Sequence, residues 1–171
     1  PDWPKRDRLI FSKGHGCLAL YAILADTGFI SKSTLKTFCK PNSILGGHPE
    51  KNKIPGVEAS TGSLGHGLPI AVGISLAAKL KKEKFKTFVV VGDGEMNEGS
   101  NWEALMTSQK YNLDNLILIV DRNKFQSYGE TEKVLSLEPL KNKLESFGAK
   151  VKSIDGHDTK KIKKTLSKLP F

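Results

Sequence analysis

Apolar residues recur at two different periods along this chain, and the switching between them predicts its architecture. Val89-Val90-Val91 and Leu116-Ile117-Leu118-Ile119-Val120 are short, continuous aliphatic runs, the pattern of strands buried on both faces of a parallel sheet. They place strands over 86–91 and 115–120, and the intervening 98–111 reads as a helix, giving a β-α-β unit. Upstream, Leu18, Tyr21, Ala22, Leu24 and Ala25 fall at helical spacing, and Gly28 follows as a stop signal. Ser31-Lys32-Ser33-Thr34 reads as the N-cap of a short helix running through Leu35 and Phe38. A longer helix is predicted over 64–82, with Ile70, Ala71, Ile74, Ala77, Ala78 and Leu80 on its buried side. Its small residues Gly67, Ala71, Gly73 and Ala77 let a neighbour approach closely. Beyond a loop at 121–135, the pattern predicts a helix over 137–146, a strand over 149–154 and a helix over 158–168. Such alternation implies an α/β fold: a doubly wound, mainly parallel sheet with helices on both faces and right-handed crossovers. Two stretches lack periodicity. Residues 1–8 form a polar, proline-bearing lead-in, and 41–62, with three prolines and four glycines, reads as a long functional loop.

Composition narrows the class. A chain of 171 residues with 38% hydrophobic content suits one domain over 1–171 with one well-buried core. No apolar run reaches bilayer-spanning length and the start carries no signal-peptide pattern. Cys17 and Cys39 have no metal-ligand spacing. A cytoplasmic protein without a membrane partner is the expectation. The net charge of +9 raises the question of nucleic acid. Its lysines, however, gather in Lys79-Leu80-Lys81-Lys82-Glu83-Lys84 and over 160–168, a helix end and a polar helix face. The helix macrodipole favours cations at C-termini, and no aromatic-rich basic stripe or zinc-finger spacing accompanies them. No nucleic-acid partner is expected.

Candidate chemistry sits at the ends of the two aliphatic runs. Gly92-Asp93-Gly94 follows the first, and Asn123 comes thirty residues after Asp93, at the end of the second. Adjacent strand ends in an open parallel sheet form the usual ligand crevice. Two oxygen donors there suit a magnesium ion that keeps diphosphate oxygens and water as its other ligands. The glycines let a phosphate reach backbone amides, and a helix starting near Glu98 adds its positive end. Taken alone, Gly-Asp-Gly also reads as a solvated turn; it is neither the three-glycine dinucleotide fingerprint nor a phosphate loop.

Together these residues match the thiamine-diphosphate-binding motif, and the chain resembles the amino-terminal, diphosphate-binding half of transketolase. The supporting segments are Ser12-Lys13-Gly14-His15, Gly47-His48-Pro49-Glu50, Pro55-Gly56-Val57-Glu58, Thr61-Gly62-Ser63-Leu64-Gly65-His66-Gly67 and Gly92-Asp93-Gly94-Glu95-Met96-Asn97-Glu98-Gly99. They follow the family's order over residues 7 to about 158. The resemblance implies thiamine diphosphate as cofactor with Mg2+, or Ca2+ or Mn2+ in its place. Asp93 and Asn123 would hold the metal through their side chains and Phe125 through its carbonyl. His15, Gly62, Ser63, Leu64, Asp93, Gly94, Glu95 and Asn123 would line the cofactor, Gly94 by its amide, Gly62 by its carbonyl, Leu64 as an apolar wedge and Glu95 mainly as a support of the loop. His15 and His48 would stand beside the cofactor and donor sugar, where an imidazole can hydrogen-bond substrate and move protons. Glu98 would lie at the subunit contact, near the activating glutamate of the partner half. Lys13, Glu50, Glu58 and Asp121 lie in matched segments without assigned roles. His157 is left in a turn before Asp158, an expected helix N-cap.

Two departures shape the functional expectation. His66 stands where many members carry glutamine, which alters hydrogen bonding beside the cofactor loop. By the resemblance, the sequence is also expected to be without the family's preceding segment, with a further active-site histidine, and without the pyrimidine-binding half with its activating glutamate, whether through division between subunits, truncation or degeneration. The expected activity is therefore transfer of a two-carbon ketol unit between sugar phosphates, performed with a separate pyrimidine-binding, C-terminal transketolase subunit in a homodimeric or heterotetrameric assembly. The alternatives are another thiamine diphosphate enzyme, of the 1-deoxyxylulose-phosphate-synthase or 2-keto acid decarboxylase kind, and a non-catalytic cofactor-binding remnant.

Overall fold

Three parallel strands organise the molecule: β1 (Arg8–Phe11), β2 (Thr87–Gly92) and β3 (Leu116–Asp121), side by side in that order. The computed structural model describes residues 3–127 and 129–169; Pro1 and Asp2 of the expected lead-in lie outside them. The register pairs Ile10 with Val89, Val89 with Leu118 and Val91 with Val120. Cross-strand partners point to one face of a sheet, so these five side chains form a single apolar surface. Against it lie α3 (Gly67–Leu80), through Leu68, Ala71 and Val72, and α4 (Gly99–Lys110), through Ala104 and Leu105. Burying an aliphatic side chain such as Leu68 or Val89, both 0% exposed, stabilises the fold by about 1.5–3 kcal/mol.

Phe11 follows Ile10 in β1 and so points to the opposite face. There it meets a second cluster built on α1 (Cys17–Asp26), with Cys17, Leu20, Tyr21 and Leu24, and completed by Leu45 and Ile54 from the long loop. Helical elements thus reach both sides of the sheet, as the doubly wound reading requires. Ser31 caps α2 (Lys32–Leu35), accepting from the Thr34 N–H at 3.0 Å. The 41–62 segment forms no helix or strand. It is anchored nonetheless: the Thr61 hydroxyl donates to the Phe11 carbonyl at 2.7 Å, and the Thr61 N–H to the Pro49 carbonyl at 3.1 Å.

The structure departs from the sequence reading at five places. On α3 the buried stripe runs through Leu68, Ala71, Val72, Ser75 and Ala78, so Ile70, Ala77 and Leu80, expected on the buried side, face outward and are exposed. β1 is an additional strand, in a stretch where the apolar pattern implies only a lead-in up to residue 8. The loop at 121–135 holds a short antiparallel pair, β4 (Phe125–Gln126) with β5 (Gly129–Glu130), and a helical turn, α5 (Thr131–Val134). The helix expected over 137–146 is confined to α6 (Leu140–Ser146). The expected strand over 149–154 does not form. Ala149 spends its N–H on the Leu144 carbonyl, closing α6, and Val151 rests half-buried on the core while Lys150, Lys152, Ser153 and Ile154 are exposed. A loop laid over the core satisfies the same alternation without a ladder.

The lysine-rich segments take the positions anticipated for them. Lys79, in the last turn of α3, donates to the Tyr111 and Asn112 carbonyls at the end of α4, at 3.0 and 2.5 Å. Asp158 caps α7 (Thr159–Leu166), whose lysines are exposed. Among the described residues, no helix is long and apolar enough to cross a membrane.

Candidate cofactor and metal site

Parallel strands bring their carboxyl ends to one edge of the sheet, and the motif residues follow from that edge. Ser12-Lys13-Gly14-His15 leaves β1, Asp93 leaves β2, and Arg122 and Asn123 leave β3. Lys13 crosses over Gly92 to pair with Asp121, Nζ to Oδ2 at 2.6 Å, tying the outer strands together. Gly67 sits where an added Cβ would fall 2.1 Å from the Ser12 hydroxyl. Only glycine lets α3 start against the end of β1, and that contact sets the 62–66 loop over the strand ends.

Asp93 is 1% exposed, and its two oxygens are treated differently. Oδ2 accepts from Arg122 Nη1 at 2.7 Å, the Lys124 N–H at 2.8 Å and the Thr131 hydroxyl at 3.1 Å. Among the described residues, Oδ1 accepts only the Gly94 N–H, at 2.9 Å. A carboxylate has about four lone-pair positions, so Oδ2 is filled and Oδ1 keeps an open acceptor position. Burial works against the Arg122 charge, but its hydrogen bonds to Asp93 and Glu138 outweigh that and raise its pKa. Asn123 is exposed, and its Oδ1 accepts, among the described residues, one N–H, that of Phe125 at 2.8 Å. Phe125 is two residues on, in β4, its ring 64% exposed. Among the described residues, no cluster of three His, Cys, Asp or Glu side chains is arranged to hold a metal. Magnesium is commonly bound by one or two protein carboxylates with phosphates and water filling its octahedron. The donor set of Asp93 and Asn123 fits such an ion.

A second group of expected site residues converges beside the first. Gly62 has φ +142°, and a Cβ added to it would lie 2.7 Å from His48 Cδ2. A Cβ on Gly14 would in turn lie 2.8 Å from Gly62 N. The loops carrying His15 and Gly62 are therefore in backbone contact, and the His48 side chain packs on Gly62, because two glycines leave room. Both histidines, Ser63 and Leu64 are exposed. Glu98, also exposed, lies against Gly65 of the same loop: a Cβ there would be 2.5 Å from Glu98 Cβ. We expect Gly62→Ala to push His48 aside and, with its left-handed backbone, to cost about 1–3 kcal/mol. Urea unfolding of the variant measures the cost, and an unchanged midpoint would refute the close contact.

Two expected cofactor contacts are engaged within the protein. The Gly94 N–H, assigned to the diphosphate, donates to Asp93 Oδ1. Glu95 is 3% exposed; Oε1 accepts from the Ser12 hydroxyl at 2.5 Å and the Gly65 N–H at 3.0 Å, and Oε2 from the Gly92 N–H at 3.2 Å. Its carboxylate joins the end of β1, the 62–66 loop and its own turn, the loop-supporting part expected of it.

Sequence reasoning passed over Ser12, Arg122, Cys17 and Tyr21. The last two lie one helical turn apart on α1 and grip the loop before His48: Cys17 Sγ is 3.2 Å from the Gly47 carbonyl, and the Tyr21 hydroxyl donates to the Gly46 carbonyl at 3.0 Å. Burial pushes the pKa values of both groups up, still further above neutral pH. Their i, i+4 spacing was the available signal. An apolar cavity between β1 and α1, lined by Leu9, Phe11, Leu20 and Phe29, contains none of the expected site residues.

Known proteins resemble this chain in sequence and in fold. The family described as transketolase, thiamine diphosphate binding domain, matches residues 1–169. One of the subunits of apulose-4-phosphate transketolase from Actinobacillus succinogenes is 49% identical over 166 residues, which cover 97% of this chain and 60% of that protein. The 6-deoxy-6-sulfo-D-fructose transketolase subunit SqwG of a Clostridium species is 44% identical over 95% of this chain and 59% of its own length. The chain thus spans about 60% of the length of these relatives. The crystal structure of transketolase from Campylobacter jejuni superposes with a TM-score of 0.89 at 38% identity, covering 94% of this chain and 26% of that one. Transketolase from Leishmania mexicana gives 0.89 at 34% identity, over 98% and 27%. By sequence and by fold, the chain belongs to the transketolase family, as a thiamine diphosphate-binding domain of its N-terminal half.

Proposed function

We propose that this chain supplies the diphosphate-and-metal wall of a two-part transketolase that moves a two-carbon ketol unit between sugar phosphates. The observation that carries the reading is Asp93, buried and held on one oxygen by three donors, one of them the Lys124 N–H next to the exposed Asn123, with the other oxygen still able to accept. Asp93, Asn123 and the Phe125 carbonyl would hold Mg2+, or Ca2+ or Mn2+. Gly62, Ser63 and Leu64 would line the cofactor. When bound, thiamine diphosphate supplies the electron sink that lets a carbon–carbon bond beside a carbonyl break and re-form.

This chain's own part is to bind, orient and move protons. His15 and His48 lie exposed on loops held in contact through Gly14 and Gly62. There they would hydrogen-bond the hydroxyls of a donor sugar and shuttle protons near neutrality. Glu98, beside the cofactor loop, would meet the pyrimidine-binding partner, which brings the activating glutamate. Both the Actinobacillus and the Clostridium relative bear names that make them subunits of a transketolase, which supports an assembly whose second half is a separate chain. Homodimers of such pairs would form the working oligomer, in the cytoplasm.

Titrating thiamine diphosphate with Mg2+ into the protein, alone and with its pyrimidine-domain partner, tests the proposal. Metal-dependent binding should be measurable, and ketol transfer from a ketose phosphate to an aldose acceptor should require the mixture. A folded mixture that neither binds the cofactor nor transfers the ketol unit would overturn it.

A further inference from the structure

The guanidinium of Arg122 is given no role of its own in the function proposed above, yet it touches the side chain on which that function turns. Its side chain is 21% exposed and its donors are spread over three carboxylates. Nη1 bonds Asp93 Oδ2 at 2.7 Å, and Nη2 bonds Glu132 Oε1 at 2.7 Å. Nε and Nη2 bond Glu138 Oε1 at 3.2 and 3.1 Å. Glu132 is itself ordered by the Ser136 hydroxyl and by the N–H groups of Leu137 and Glu138. A planar guanidinium in such a fork fixes direction as well as charge, which an ammonium cannot do.

We propose that Arg122, anchored by Glu132 and Glu138, is a positioning residue that locks Asp93 into service as a single-oxygen metal ligand. With Oδ2 occupied by Arg122, Lys124 and Thr131, the carboxylate cannot rotate to present both oxygens to one ion. That matters for metal choice. Mg2+ demands near-ideal octahedral geometry, whereas Ca2+ accepts bidentate carboxylates and higher coordination. A locked, one-oxygen aspartate favours the smaller ion, and a freed one favours Ca2+. The inference rests on the reading of Asp93 as a metal ligand.

Calorimetric titration of the whole protein with MgCl2 and with CaCl2, at saturating thiamine diphosphate, separates the possibilities. Loss of an outer-shell partner costs metal affinity about 10–100-fold; for Arg122→Gln we expect about a tenfold loss for Mg2+ and a much smaller one for Ca2+. Removing the Arg122 charge attracts both divalent ions alike, so their affinity ratio reports geometry, and a general loosening of the fold would not shift it. The Glu132→Gln/Glu138→Gln double variant should move the ratio in the same direction, and Arg122→Lys should restore it only in part. If Arg122→Gln fails to fold, the double variant decides by the same ratio. An unchanged ratio, with Asp93→Asn still abolishing metal binding, overturns this inference and leaves the proposed function standing. Metal binding that survives Asp93→Asn overturns the metal assignment itself.

Discussion

Replacing Asp93 with asparagine is expected to abolish metal-dependent binding of thiamine diphosphate while leaving a folded protein. The amide is nearly the same shape, so packing around the 1% exposed side chain is kept. Its chemistry cannot serve both sides. If the amide oxygen takes the Oδ2 position among Arg122, Lys124 and Thr131, the NH2 group faces the metal position and the Gly94 N–H. If it turns over, the NH2 group faces three donors, one of them charged. Outer-shell substitutions cost about 10–100-fold in metal affinity, so loss of a charged direct ligand should exceed the top of that range. Arg122 keeps Glu132 and Glu138, which limits the stability loss to about 1–3 kcal/mol. Calorimetry with Mg2+ and thiamine diphosphate reads the affinity, and a melting curve checks the fold. Retention of cofactor affinity within a few-fold would contradict the assignment.

Much of this site was readable because strand ends are dictated by residue type. An aliphatic run stopped by Gly-Asp-Gly, and a second stopped by Asp-Arg-Asn, must deliver Asp93 and Asn123 to the same edge once the strands are parallel. The structure pairs Gly92 with Asp121 at that edge. What periodicity could not show was pairing. Leu9-Ile10-Phe11 forms an edge strand of four residues that starts at Arg8, too short to separate from a helix lead-in. Residues 149–154 alternate as a strand would, yet make no ladder. A hydrophobic pattern reports which side of a segment is buried, and it is silent on which backbone lies alongside. Arg122 escaped notice for a related reason. Its partners Glu132 and Glu138 follow at 10 and 16 residues, and only the fold of the intervening loop makes them neighbours.

Glu95 carries the largest expected effect on stability. Its carboxylate accepts from Ser12, Gly65 and Gly92, each itself buried. Glu95→Ala strands three donors away from water, at about 1–3 kcal/mol each. Partial relaxation should leave a net loss of about 3–5 kcal/mol, a large share of the 5–15 kcal/mol by which domains are ordinarily stable. Glu95→Gln keeps the shape but turns an NH2 group toward at least one of those donors, so roughly half that loss is expected. Urea unfolding of both variants provides the comparison. The loop at 62–66 should loosen with it, since the Gly65 N–H loses its acceptor while its carbonyl still holds the Ser100 hydroxyl at 2.7 Å. A change below about 1 kcal/mol for the alanine variant would mean that these three hydrogen bonds do not hold the site together.

The central claim is that a divalent ion sits between Asp93 and Asn123 and anchors the cofactor diphosphate. Crystals grown with Mn2+ and thiamine diphosphate, measured at the manganese absorption edge, test it most directly. The account predicts one anomalous peak about 2.0–2.2 Å from Asp93 Oδ1 and Asn123 Oδ1, with diphosphate oxygens completing an octahedron. Bound cofactor with no peak there, or with the ion bound elsewhere, would contradict it.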